Sequence, residues 1–143
     1  MRRIFILSAC LFCLLASSAF AAEDGKIFEI REKMFVGQTN DIYLNPDEYL
    51  GRTIKLEGMF GIIDDIEGGA PCYFVYRYGP GCCGYDSNVG FEVEWSGVYP
   101  AQDEWVEATG VLVSYDYEGI PYLKLSLSSL EVKSERGLES VTQ

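Results

Sequence analysis

The sequence predicts a small all-β domain. Three observations carry this: short segments in which apolar and polar residues alternate with period two, clusters of Gly, Pro and Asp between them, and no long run with an amphipathic-helix period. At 143 residues the chain has the length of one domain.

The chain opens with Arg2 and Arg3, an apolar run from Ile4 to Leu15, and small residues around Ala19-Phe20-Ala21. That order is the order of a secretory signal peptide, with cleavage expected after Ala21 or Ala22. The apolar run is shorter than the roughly 20 residues a spanning helix needs. Two other readings use the same residues: Leu7 to Cys10 as a lipoprotein acylation box, or retention of the segment as an anchor. The expected organisation is a signal peptide at 1–22, a barrel domain at 23–133 and a flexible tail at 134–143, in a bacterial protein exported to the periplasm or cell envelope.

One short helix is predicted at Asn45 to Gly51, with Asn45 as N-cap, Pro46 at the first helical position, Asp47 and Glu48 in the first turn, and Gly51 as the stop. The first strand follows at Thr53 to Phe60, with Ile54, Leu56, Gly58 and Phe60 on one face. An acidic loop from Asp64 leads to the second, Cys72 to Tyr78, where Phe74 and Tyr76 alternate with Val75 and Arg77. Phe91, Val93 and Trp95 oppose Glu92 and Glu94 in the third, Val89 to Trp95. Val106, Ala108, Gly110 and Leu112 share a face of the fourth, which starts near Glu104, and the turn Asp116 to Gly119 ends it. In the fifth strand, Leu123, Leu125 and Leu127 share one parity while Leu130 and Val132 take the other. The slip at Ser128-Ser129 predicts a β-bulge.

Five short strands of this kind fit an OB-fold-like closed barrel, and glycines inside strands, Gly58 and Gly110, favour that curved form over a β-sandwich. The formal charge of −11 deepens to −13 once Arg2 and Arg3 leave with the signal peptide. A polyphosphate partner gains affinity from lysine and arginine, so no nucleic-acid role is expected.

The chain has no histidine. This removes His-dependent triads and His-ligated zinc catalysis, leaving Glu92 and Glu94 as a conceivable carboxylate pair on what reads as a solvent-facing strand side. Asp64, Asp65 and Glu67 lack the ligand spacing of an EF-hand loop and read as a solvated acidic loop. The tyrosines of the run Tyr73 to Tyr78 read as core and girdle before binding platform.

After loss of Cys10 and Cys13, the cysteines are Cys72, Cys82 and Cys83. An odd number in an oxidising compartment allows one disulfide with a spare thiol, an intermolecular bridge, thiolates on a metal, or buried small hydrophobes. A strand starting at Cys72 carries the chain about 20 Å away by Tyr78, whereas a disulfide needs Cα atoms within about 7 Å. Cys72 is therefore expected to stand apart, and Cys82 and Cys83 to act with Asp86 as a soft donor set for Zn or Cu(I).

The runs NPDEYLGRTIKLEGMF, FVYRYGPGCCGYD and DEWVEATGVLV together resemble the C-terminal OB-like domain of an uncharacterised bacterial family of two-component permease subunits. The resemblance covers roughly Ile27 to Val132. That family's Tyr-Ile-Gly-Lys segment falls on Tyr49 to Arg52, its aromatic-Val-x-Arg strand on Phe74 to Arg77, its Cys-Cys-x-Ala-Asp motif on Cys82, Cys83 and Asp86, and its Asp/Glu-x-Trp-Val start on Asp103 to Val106. Tyr85 stands where the family has alanine, and transmembrane helices usually precede the domain there. The resemblance implies a membrane transport protein as partner. The expected function is that of a non-enzymatic envelope domain binding a soft metal or docking a permease through Cys82, Cys83 and Asp86. The alternative is a disulfide-stabilised structural or redox protein.

Overall fold

A computed structural model describes residues 25–64, 69–80 and 86–142. The elements in order are β1 (Phe28–Glu29), a 3-10 turn (Glu32–Met34), α1 (Phe35–Leu44), a second 3-10 turn (Pro46–Glu48), β2 (Thr53–Ile63), β3 (Cys72–Pro80), β4 (Asp86–Glu94), β5 (Trp105–Tyr117) and β6 (Ile120–Val132). Strands β2, β3, β4, β6 and β5 are neighbours in that order, and β5 pairs back onto β2. The five-stranded barrel expected from the sequence is thus closed, with β4–β6 parallel and the other barrel pairs antiparallel.

Period-two alternation fills the barrel as predicted. Ile54, Leu56, Phe60, Val106, Ala108 and Leu112 are all buried, joined by Val75, Phe91, Val93 and Leu125 from the other three strands. Each large side chain of this set contributes roughly 2 kcal/mol relative to exposure. Gly58 and Gly110 are required where strands crowd: a Cβ would lie 2.6 Å from the Tyr76 carbonyl oxygen at the first and 2.5 Å from that of Ser126 at the second. The bulge sits where the parity slips, for Thr109 pairs with Ser129 and Gly110 with Leu127, leaving Ser128 as the extra residue.

The helix departs from expectation. Asn45 to Gly51 holds only the 3-10 turn, and the Asn45 side chain donates to Asp41 Oδ1 at 2.8 Å instead of capping it. The α-helix is α1, whose sequence FVGQTNDIYL is poor in strong helix formers and has no charged residue complementing the dipole at either end. Packing holds it: Phe35, Thr39 and Ile42, spaced on one face, are buried against the barrel.

The segment expected as a flexible tail is tied to the sheet. Pairing of β2 with β3 stops at Met59 and Tyr76, so the edge of β3 beyond it has no strand partner. The tail takes that edge: Tyr78 N–H donates to the Glu139 carbonyl, Val141 N–H donates to the Tyr78 carbonyl, both at 2.8 Å, and Val141 reaches the core.

Candidate functional site

Cys82 and Cys83 lie outside the described residues, and Asp86 is described only as the first residue of β4. The register nevertheless fixes both ends of their loop, because Gly79 faces Ser87 and Pro80 faces Asp86 in the β3–β4 hairpin. Residues 81–85, Cys82 and Cys83 among them, connect these two paired positions. Cys72 is exposed at the other end of β3, opposite Ile63. Eight residue steps of strand, about 26 Å, separate it from Pro80.

Between these ends the predicted strand face splits. Arg77, which shares its strand parity with Val75, is 3% exposed. Its Nε donates to the Glu57 carbonyl at 2.8 Å, and its Nη1 donates to Glu32 Oε2 at 2.8 Å and to the Leu138 carbonyl at 3.0 Å. The guanidinium lies 4.9 Å from the Phe35 ring centroid and 4.7 Å from that of Trp105. It thus occupies the place where β2 and β3 part and answers a strand carbonyl left open there. Leu138 N–H donates to Glu32 Oε2 at 2.9 Å, and this bond, followed by the one from Arg77, holds the Glu32 carboxyl below its ordinary range.

Glu92 and Glu94 share an outer face of β4, as the alternation predicts, but they have different partners. Tyr115 donates its hydroxyl proton to Glu92, while Glu94 pairs with Lys124 at 3.0 Å. Neither arrangement leaves a proton-sharing carboxylate dyad. Asp64 closes the described part of the acidic loop, and Asp65 and Glu67 lie outside the described residues. Among the described residues, no three of Cys, Asp and Glu gather as metal ligands, and no helix is long and apolar enough to cross a membrane.

A groove was not legible from strand faces alone. Strands β4 and β6 pair over Glu92–Glu94 and Lys124–Ser126, so the turn end of the β5–β6 hairpin, beyond Val113 and Lys124, extends past β4 as an arm. Its two-residue turn has Glu118 at φ 53° and Gly119 at φ 82°, with Gly119 N–H donating to Asp116 Oδ1. Between arm and sheet lies a groove of about 850 Å³, lined by Phe74, Tyr115, Tyr117 and Tyr122 and bearing the carboxylates of Glu92 and Asp47. Tyr43 of α1 forms its inner wall, stacked on Phe91 with centroids 5.1 Å apart and donating its hydroxyl proton to the Gly90 carbonyl at 2.9 Å. Burial first, and the Glu92 charge second, push the Tyr43 phenol up to about 12. The sequence signal for the groove is the spacing of Tyr115, Tyr117 and Tyr122 around a two-residue turn, which brings three rings to one hairpin tip.

Residues 16–136 match the family model described as the DUF1980 C-terminal domain. The chain belongs to this family. The match takes in every strand of the barrel, α1 and the loop carrying Cys82 and Cys83, so hairpin tip and groove both lie within the DUF1980 C-terminal domain. Comparison with curated proteins and with solved structures found no match.

Proposed function

We propose that this is a non-enzymatic domain of the bacterial cell envelope whose Cys82, Cys83 and Asp86 tip binds a soft metal ion, Zn(II) or Cu(I). The observation that carries this is the β3–β4 register, in which Pro80 pairs with Asp86, so that the five residues between them include Cys82 and Cys83 and the carboxylate-bearing Asp86 follows directly. The donor set fits a soft ion of low coordination number directly. For Zn(II), which takes four ligands in closed structural sites, a fourth donor would come from a partner or a second copy. A membrane permease in that role follows from the resemblance of the CCGYD motif, and export from the signal-like N-terminal segment.

Thiol titration of the purified protein tests the reading. Cys82 and Cys83 are expected to react in the metal-free protein and to become protected together on addition of Zn(II) or Cu(I), with protection lost in Cys82→Ser and Cys83→Ser. A disulfide between Cys72 and either residue in non-reduced peptide mass spectra, with no metal uptake, overturns it.

A further inference from the structure

We infer that the groove between the β5–β6 arm and the outer face of β3 and β4 binds an organic cation, an ammonium group carried on an aromatic or alkyl body. The site is distinct from the cysteine tip, since it lies at the Cys72 end of β3. Its volume of about 850 Å³ suits a small molecule. Aromatic rings dominate its walls, and two of them are turned to water: Tyr117 is 60% exposed and Tyr122 43% exposed. Tyr122 stacks on Tyr115 with ring centroids 5.7 Å apart and meets Tyr117 edge-on at 6.4 Å, so the three rings form one partly exposed aromatic wall.

The sign of the ligand comes from the charges around those faces. Glu92 and Asp47 open into the groove, and the Tyr115 hydroxyl holds the Glu92 carboxylate in place. At the rim, the Lys124 ammonium lies 5.0 Å from the Tyr115 ring centroid and 3.0 Å from Glu94. Ring and carboxylate already cooperate there to hold an ammonium. A ligand ammonium placed against Tyr122 and Glu92 would repeat that pairing inside the groove. The formal charge of −11 favours the approach of a cation over that of an anion.

Benzyltrimethylammonium is the probe, titrated into the purified protein by calorimetry and by amide chemical shifts, with benzoate as the anionic counterpart of similar size. Saturable binding is expected, with shifts concentrated at Phe74, Glu92, Tyr115 and Tyr122. Glu92→Gln and Tyr122→Leu should each weaken it by threefold or more, the leucine keeping apolar area while removing the ring face. Both variants must retain the wild-type melting transition; Tyr117→Leu at the exposed tip replaces either one that does not. Absence of saturation at millimolar probe, equal or tighter binding of benzoate, shifts confined to the β3–β4 tip, or affinity unchanged in the variants each overturns the inference. None of these substitutions touches Cys82, Cys83 or Asp86, so failure here is separable from failure of the metal reading.

Discussion

Phe74 and Arg77 stand three residues apart on β3, yet the two halves of that strand do opposite things. Around Arg77 the groups are tied together: a guanidinium with three oxygen partners and two aromatic rings locks Glu32 before α1 and Leu138 in the tail onto the barrel. Around Phe74, the sheet is left open, and tyrosines on a projecting arm face a groove with carboxylates in it. The difference originates in pairing. Where β2 leaves β3, side chains and tail fill the gap, whereas where β6 leaves β4 the hydroxyls of Tyr43 and Tyr115 reach β4 and a groove stays open. Closed edges make the first region a clasp, and open rings make the second a receptacle.

The largest expected effect tests the clasp. Arg77→Ala removes both ring contacts and strips the Glu57 and Leu138 carbonyls of their charged donor. A loss of about 3 kcal/mol in urea unfolding is expected, combining the lost charge-assisted bonds with the cavity left between Phe35 and Trp105. Amide exchange should speed up selectively at Tyr78 and Val141, whose backbone bonds depend on the docked tail. Unchanged exchange there would break the comparison, because the tail would then be held without the clasp.

A smaller effect tests the boundary of the open half. Tyr43→Phe keeps the ring stacked on Phe91 and deletes only the hydroxyl that answers the Gly90 carbonyl. The expected cost is about 1 kcal/mol by urea unfolding, the scale of one hydrogen bond at a partly buried acceptor. The groove end should loosen while Tyr78 exchange stays as in wild type. Equal loosening at both ends would show that the two halves of β3 do not behave separately.

The barrel was legible because its determinants are local and periodic. Ile54, Leu56 and Phe60, or Val106, Ala108 and Leu112, announce their shared face by parity alone, and the slip at Ser128 announces the bulge. Helix α1 was not legible, because Phe35 and Ile42 are held by the barrel and the intrinsic preference of FVGQTNDIYL is weak. The role of Arg77 was hidden for a related reason: its parity matches that of Val75, but the partners that hold its charge come from the parting of β2 from β3 and from the tail. Cys82 and Cys83 were visible as a motif and lie outside the described residues, and the register adds the paired positions on either side of them. The groove was spread over β3, β4, the β5–β6 arm and the turn after α1, segments whose meeting depends on strand order, which no local pattern encodes.

The smallest effect refines the clasp by separating its charge from its shape. Glu32→Gln keeps an oxygen for the Leu138 N–H but removes the negative charge facing Arg77. The native carboxyl is held below its ordinary value of 4.5, so its stabilisation is fully present above that value and is lost as pH falls through the native one. Wild type should therefore exceed Glu32→Gln in stability at neutral pH, and the two should converge in acid. Because the Glu32 side chain is 40% exposed, solvent screening limits the neutral-pH difference to about 0.5 kcal/mol. Added salt should reduce it further. Paired urea melts across the acid range measure the convergence. A gap that persists at low pH would assign the role of Glu32 to the shape of its hydrogen bonds, and Arg77 would then hold the tail through the Leu138 carbonyl and its two rings instead of through charge.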